Sequence, residues 1–472
     1  MYTVPEQYSV RLHHCRPRFK NDREDVLLYM ASEICLIGKK TKKEFASELL
    51  IAIKNFRGNG TKAVKTLNNW RTEITTLLGL VEFTNDGYCK PSRMAELLSE
   101  KQDLIEFFRF FCFKFQYPGG HLKPDRTLYL IAKGVKFKPV KYILKLLLEG
   151  NKITKKNFGL SKAEATHCIF NDLRVVRDQQ APTKTLDLIM KNRAQGVEYD
   201  CNGDVIRYAG DILDYMELAN LVSYKLNGRY YIKTNEVEVI NSFIDSNEYF
   251  PLYEPLYNLD TVSLEDIKHT QNEWFTYVNE NLNETLFKSD IMQVLQEAND
   301  SVDQADSEFI ESLLISIRKK QEIKGKVKTK EIGDVGESIA ILHEQIRLTN
   351  LNREDLAKKV VKLPEMFSAG YDINSFEGIS EIKRLIEVKT TISKNKININ
   401  RFHMTPNEWG AAETFKDAYY IYRLMISSSG VNLFVIKNPV GQYKTDNLSM
   451  TPRNGVDITY SNDSGKLKEL LI

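Results

Sequence analysis

The chain has 472 residues, too many for one ordinary hydrophobic core and enough for about three or four modules. Its 66 lysines and arginines nearly balance 63 aspartates and glutamates, so the net charge of +3 excludes a uniformly basic surface and leaves positive potential to the clusters at residues 16–20, 39–43 and 318–330, where solvated linkers would look the same. The six cysteines (Cys15, Cys35, Cys89, Cys112, Cys168, Cys201) form no CxxC pair, so no zinc framework is visible; with no leader-like N-terminus and no membrane-length apolar run, a cytoplasmic protein with reduced thiols and no membrane contact is expected.

Residues 1–128 read as a first module of helical texture. From Asp25 onward, apolar residues recur at spacings of three and four in Leu27, Leu28, Met30 and Ile34, then in Phe45, Leu49, Ile51 and Ile53. A third run, Val64, Leu67, Trp70, Ile74 and Leu77, stops at Gly79. Residues 80–83 then alternate as a strand, Asn85-Asp86-Gly87 marks a tight turn and Tyr88 starts the return. Helix, helix, helix and a small hairpin is the order of a winged helix, with Trp70 and Phe83 read as core.

Residues 129–250 repeat that architecture without a sequence repeat. Val140, Ile143, Leu144, Leu147 and Leu148 make an amphipathic helix that Gly150 is expected to end. Ser161-Lys162-Ala163-Glu164 spells a capping box, in which serine and glutamate satisfy free amides of the next helix. That helix is expected to present Lys162, Thr166, His167, Asn171 and Arg174 on its exposed arc. Residues 206–218 are helical, and strands at 221–224 and 229–232 flank Asn227-Gly228, a strong hairpin signal.

Residues 251–329 read as a helical connector, opened by Pro251 and Pro255 and closed by the basic run 318–330. From 330 to 472 the texture becomes α/β: a helix over 336–348, strands around Tyr371 and Ile386, a helix from Thr405, and strands at 418–425 and 431–436. Thr405-Pro406-Asn407-Glu408 combines an N-cap threonine, proline at the first helical position and glutamate at the third. The fold class is therefore multidomain α+β, with helical winged-helix-like modules before a C-terminal α/β domain.

Within Leu385-Ile386-Glu387-Val388-Lys389, period-two alternation puts Glu387 and Lys389 on one face and Ile386 and Val388 on the other. A charged pair on a central strand is costly unless paired or bound to metal. Glu322-Ile323-Lys324 and Glu381-Ile382-Lys383 share the Glu-x-Lys spelling. If Asp372 lies beside Glu387, however, antiparallel pairing centres the hairpin between Ile379 and Ser380 and leaves Glu381 in the connection. Two carboxylates and an amine on adjacent strands suit a magnesium-dependent phosphodiesterase. Asp372, Glu387 and the Val388 carbonyl would hold Mg2+, which neutralises the phosphate and lowers the pKa of an attacking water. Lys389 would orient that water and stabilise charge on the phosphorane. Glu337, at the start of a helix, is a fourth candidate, with a solvated or structural role equally open for it and for Glu344. His13, His14, His121 and His403 lack ligand spacing and are not read as metal-binding; His403 is a candidate for phosphate contact.

Gly333-x-x-Gly336-Glu337, Gly370-Tyr371-Asp372-Ile373, Ile386-Glu387-Val388-Lys389 and Thr405-Pro406-Asn407-Glu408-Trp409 fall in that order within roughly residues 330–440. Together they resemble the PD-(D/E)xK nuclease superfamily and, more narrowly, the domain family found at the C-terminus of the plant protein NO VEIN. Tyr371 stands where the superfamily name has proline. The resemblance implies a mixed-sheet endonuclease core, magnesium dependence and hydrolysis leaving a 5′-phosphate. The layout is similar to FokI-type restriction endonucleases, which implies that residues 1–250 read DNA and the last third cuts it.

In a winged helix the last helix before the wing enters the major groove. The candidate DNA contacts are Lys62, Lys65, Asn68, Asn69 and Arg71 in the first module and Lys162, His167, Asn171 and Arg174 in the second, residue types that any exposed helix also carries. The expected function is a type II, or type IIS, site-specific restriction endonuclease acting on double-stranded DNA with Mg2+. One such site cuts one strand, so a homodimer during cleavage, or two successive nicks, is expected; a cognate methyltransferase is a further candidate partner. Two alternatives stand beside it: a modification-dependent defence nuclease with a base pocket built from Tyr208, Tyr215, Tyr230 or Tyr231, and a DNA-binding regulator with an inactive nuclease-like domain.

Overall fold

The computed structural model describes residues 1–12, 23–84, 86–202, 206–259, 261–281, 285–299, 310–312, 314–315, 332–364 and 368–471. The basic runs at 16–20 and 318–330, Cys15, His13 and His14 lie outside them. The chain divides into two compact units. Met1–Arg23, Ile37–Ala95 and Ile105–Phe287 form the first; Glu24–Leu36, Glu96–Leu104 and Lys288–Ile472 form the second. This differs from four consecutive modules. Residues 251–287, read as a connector, pack into the first unit, where Tyr253, Ile267, Trp274, Phe275 and Tyr277 share a core with Ile131 and Phe250. Pro251 and Pro255 open the short 3-10 turns Pro251–Tyr253 and Pro255–Asn258, since a fixed φ and a missing N–H suit a helical first turn as well as a linker. Among the described residues no helix is long and apolar enough to cross a membrane.

In the first unit the helix Lys42–Asn55 buries Phe45, Leu49 and Ile53. Ile51 is 56% exposed, because a residue two places from Leu49 and Ile53 lies off their face. Trp70 is buried on the helix Val64–Thr72, and Phe83 packs its ring 4.7 Å from Phe275, so both belong to the core as expected. The strands β1 (Lys40–Thr41), β2 (Val81–Phe83) and β3 (Tyr88–Pro91) make a sheet in the order β1-β3-β2. β1, two residues long, is too short to show as a pattern.

A second small sheet, β4 (Gly159–Ser161), β5 (Val222–Lys225) and β6 (Arg229–Ile232), runs β4-β6-β5. Its hairpin turns at Gly228, where φ is +77°. The helix Pro139–Thr154 does not end at Gly150 but continues to Lys155, which takes the left-handed conformation. Gly150 answers to packing: a Cβ there would lie 2.5 Å from the Phe158 ring. The Ser161–Glu164 capping box forms as read. The turns it opens are inward, however, with Thr166, His167, Cys168, Ile169 and Phe170 all buried. Three further helices intervene before the hairpin, and the last of them is Arg207–Leu218.

The second unit is built on strands β7 (Val361–Lys362), β8 (Ile373–Phe376), β9 (Lys383–Ile392), β10 (Arg401–Met404), β11 (Tyr419–Ser427), β12 (Gly430–Lys437), β13 (Leu448–Pro452), β14 (Val456–Tyr460) and β15 (Lys466–Lys468). Six of them form a mixed sheet in the order β15-β12-β11-β9-β8-β7, in which only β9 and β11 pair in parallel. A parallel pair needs a crossover, and here it carries β10 and the helix Pro406–Phe415. β10, β14 and β13 make a side sheet that closes the core of Leu385, Phe402, Met404, Ile421, Ile436 and Ile458.

Two segments from the N-terminal quarter of the chain complete this unit. Glu24 accepts hydrogen bonds from the Lys394 amide at 2.9 Å and the Asn395 side chain at 2.7 Å, and Asp25 accepts from the Asn398 amide at 2.9 Å. These carboxylates secure the turn that follows β9. Gln102, held at φ +52°, takes the Ile392 amide on its carbonyl at 3.2 Å, donates to the Arg401 carbonyl at 3.0 Å and accepts from Arg423 at 2.6 Å and from Thr391. Arg423 is almost fully buried and also donates to the Lys389 carbonyl at 3.1 Å. The backbone of the central strand is thus held from behind by a residue from early in the sequence.

Candidate active site

β8 and β9 pair with Ile373 opposite Ile386, Asn374 opposite Leu385, Ser375 opposite Arg384 and Phe376 opposite Lys383. The same register puts Asp372, one residue before β8, opposite Glu387, and leaves Glu381 in the exposed connection. Asp372 is tied on both sides of its peptide: its amide donates to the Ile386 carbonyl at 2.9 Å and its carbonyl accepts from Leu363 at 2.8 Å. Its carboxylate accepts the Val388 amide at 2.8 Å, which aims it along the strand that carries Glu387 and Lys389.

Alternation along β9 sends Ile386, Val388 and Thr390 to one side and Leu385, Glu387 and Lys389 to the other. Against the first side lies the helix Ile332–Asn350, and the glycine of Gly336-Glu337 lets it approach the strand closely there. A Cβ at 336 would sit 2.0 Å from the Thr390 hydroxyl. Toward the second side the helix Pro406–Phe415 brings Glu408. The Lys389 ammonium lies 2.8 Å from Glu387 and 2.6 Å from Glu408, with Glu387 almost wholly buried. Glu408 at the same time closes the Thr405 capping box. Asn407 of that helix donates to the Ser368 carbonyl at 2.7 Å, and Tyr419 donates its hydroxyl to the Gly370 carbonyl at 2.8 Å. One helix start therefore fixes both the loop that delivers Asp372 and the lysine.

Burial pushes the Glu387 carboxyl well above the ordinary glutamate range; Lys389 pulls it back, while Asp372 and Glu408 push it further up. Asp372 is raised for the same first reason, burial, against the Val388 hydrogen bond and Lys389. Burial would lower the Lys389 pKa, but the carboxylates of Glu387 and Glu408 outweigh it and hold the amine protonated. Two carboxylates thus clasp one ammonium, and a third, Asp372, lies within reach of its field. Such a cluster is short of positive charge, and its hard oxygen donors fit a divalent cation such as Mg2+. Asp372, Glu387 and the Val388 carbonyl are the groups able to hold it. Among the described residues no group of three His, Cys, Asp or Glu converges as a metal cage.

Glu337 pairs with Lys362 on β7 at 2.6 Å, and Lys362 is in turn a cation that favours ionised Asp372. Its link to the cluster runs through that lysine. Glu344 is fully buried in a separate network, accepting from Arg347 at 2.7 Å through both oxygens and from Ser375 and Tyr422 at 2.6 Å. His403 donates to or accepts from Asp457 at 2.8 Å across the β10–β14 pair, and His121 is buried, its pKa pushed down to about 3 by desolvation. Sequence reasoning passed over Glu408 as a site residue because its capping role accounted for it in full.

Of the candidate DNA contacts in the first unit, Lys62 and Lys65 are exposed and Asn68, Asn69 and Arg71 half-buried on or beside the helix Val64–Thr72. The second group is placed otherwise than the expected exposed arc. His167 is buried with Nε2 2.8 Å from the Asp200 carbonyl; Lys162 pairs with Asp214 at 2.8 Å; Arg174 clasps Asp172 and stacks over Tyr8; Asn171 caps the buried turn. They do not share an exposed arc, because the capping box opens a turn that packs inward, and the last helix before the β5–β6 hairpin is a later one. Tyr215 and Tyr230 are likewise core residues, at 1% exposure each, and Tyr231 is hydrogen-bonded to Asn227 at 2.7 Å. The Tyr208 side chain lies outside what the structure describes.

Fold and site define a two-unit protein whose C-terminal unit sets buried carboxylates and a lysine on a mixed sheet. The chain belongs to the family described as restriction endonuclease BpuJI, N-terminal, whose model matches residues 2–275, more than half its length. Residues 336–436 match the family described as protein NO VEIN, C-terminal, which spans all four motifs except Gly333. A crystal structure of pyrene- and phenanthrene-modified DNA in complex with the BpuJ1 endonuclease binding domain aligns with a TM-score of 0.52 at 24% identity, covering 59% of this chain and 100% of that one. Two structures of restriction endonuclease FokI, one bound to DNA, align over 79% and 83% of this chain at 13% and 11% identity; their TM-scores of 0.22 and 0.23 are too low to argue from. No curated protein matches.

Proposed function

We propose that the chain is a magnesium-dependent, sequence-specific restriction endonuclease of double-stranded DNA, in which the first unit reads the site and the second, a PD-(D/E)xK core, cuts. The observation that carries this reading is the Asp372, Glu387 and Lys389 cluster in a chain whose residues 2–275 belong to the BpuJI N-terminal family. The BpuJ1 domain is described in complex with DNA, and its likeness extends over its whole length. The two three-stranded sheets with their preceding helices are read as winged helices. Lys62, Lys65, Asn68, Asn69 and Arg71 are the preferred DNA contacts, since the second group is engaged within the protein.

Magnesium, when bound, supplies charge for the scissile phosphate and acidity for the attacking water. Asp372 and Glu387, with the Val388 carbonyl, hold the ion. Lys389, kept protonated by its two carboxylates, donates hydrogen bonds that orient the water and offset charge on the phosphoryl oxygens. Glu337 keeps Lys362 beside Asp372 and acts at one remove. One site cuts one strand, so double-strand cleavage calls for a homodimer or two nicks, and a host needs a methyltransferase to protect its own sites.

Digestion of modified and unmodified genomic DNA with Mg2+, followed by sequencing of the ends, tests the reading. Recurrent ends at a short sequence in unmodified DNA are expected. Cutting confined to modified DNA would replace this reading with the modification-dependent one, and specific binding with no cutting would make the protein a regulator.

A further inference from the structure

The Lys389 ammonium sits between two carboxylates on different elements, Glu387 of β9 at 2.8 Å and Glu408 of the helix Pro406–Phe415 at 2.6 Å. An ammonium paired with one carboxylate alone competes with a metal ion for that carboxylate's lone pairs. A second carboxylate on the far side changes the competition. Glu408 offers Lys389 a partner that stays in place when Glu387 turns to a cation, so the lysine neither leaves the site nor blocks the metal.

We propose that Glu408 is a positioning residue: it is the counter-ion that holds Lys389 and frees Glu387 for a divalent cation. This rests on the reading of Asp372 and Glu387 as the cation's ligands. Three features of the chain support it. Glu408 is held at both ends, because its backbone amide donates to the Thr405 hydroxyl at 3.3 Å and its carboxylate accepts from the Thr405 amide at 3.1 Å. The helix that carries it is anchored to the Asp372 loop through Asn407 and Ser368. Its side chain is only 17% exposed, so water screens the pair weakly.

The capping role gives the test its controls. Glutamine serves a capping box as well as glutamate does, so Glu408→Gln keeps the helix start and removes only the charge. Thr405→Ala weakens the helix start and leaves the charge. Binding of Mn2+ to the DNA-free full chain, followed by the paramagnetic resonance signal of free Mn2+, reads the site without turnover. The wild type should bind and Asp372→Ala should not. Glu408→Gln should weaken Mn2+ binding about fivefold to tenfold, the order of one ordinary hydrogen bond. Thr405→Ala, which loosens Glu408 without removing its charge, should melt earlier and weaken Mn2+ binding by less than Glu408→Gln does. In a Lys389→Met background, where no ammonium competes, the effect of Glu408→Gln should shrink to about twofold or less. Equal Mn2+ binding by wild type and Glu408→Gln overturns the proposal, and so does an effect of the same size in both backgrounds, which would make Glu408 a ligand. If wild type and Asp372→Ala bind Mn2+ alike, the ligand assignment itself falls, a result distinct from either.

Discussion

Gln102→Ala is the perturbation that most directly probes how the second unit is assembled. Gln102 belongs to the second unit although it lies early in the chain, and its side chain makes three hydrogen bonds there, from Arg423, from Thr391 and to the Arg401 carbonyl. The bond from Arg423 matters most, because that guanidinium is 1% exposed and the amide oxygen is a principal partner. A hydrogen bond to a charged group contributes about 1.5–3 kcal/mol and a neutral one about 1 kcal/mol, so truncation should cost about 3–5 kcal/mol. That is a large share of the roughly 5–15 kcal/mol that holds a typical domain. Urea unfolding combined with hydrogen exchange locates the loss. Peptides from β9 and β11 should exchange faster in the variant, while those from β5 and β6 keep their protection. A cost below about 1 kcal/mol, or equal loss in both sets of strands, would refute the reasoning. By the same argument residues 330–472 expressed alone, without 24–36 and 96–104, should fail to reach the native state.

Two other perturbations bear on the site and its support. Gly370→Ala puts a Cβ 2.6 Å from the Asn407 carbonyl oxygen at a φ of +75°, so it should cost about 1–3 kcal/mol of stability and shift Asp372 enough to depress cleavage, read by melting and turnover together. Glu344→Gln strips the charge that Arg347 and Arg384 face. Burial alone would raise the Glu344 pKa, but those guanidinium groups and Ser375 bring it below the ordinary 4.5, so its contribution is full above that value and fades as pH falls through the lower folded-state pKa. The variant should lose about 3–5 kcal/mol at neutral pH and show a flatter acid limb in denaturation than the wild type.

Much of the site was legible because it is local. Period-two alternation placed Glu387 with Lys389, the hairpin register separated Glu387 from Glu381, and Thr405-Pro406-Asn407-Glu408 announced its helix. The strands after residue 440 were not read, being short and polar-edged, and neither was β1. Gly150 misled because glycine serves close packing as well as helix ends. The two N-terminal segments of the second unit were out of reach for a different reason. Glu24, Asp25 and Gln102 act through a few polar bonds to residues far along the chain, and such bonds impose no periodicity on either partner. The inward turn of the helix after Ser161 was missed because a capping box fixes where a helix starts and says nothing of which face it buries.

The central claim is that Asp372, Glu387 and Lys389 cut DNA that the first unit has bound. Asp372→Ala and Lys389→Ala, assayed side by side with wild type for cognate-DNA binding and for Mg2+-dependent cleavage, test it most directly. Cleavage should be lost in both with binding retained. Unchanged cleavage would remove these residues from the mechanism, and loss of binding together with cleavage would show that they hold the fold instead.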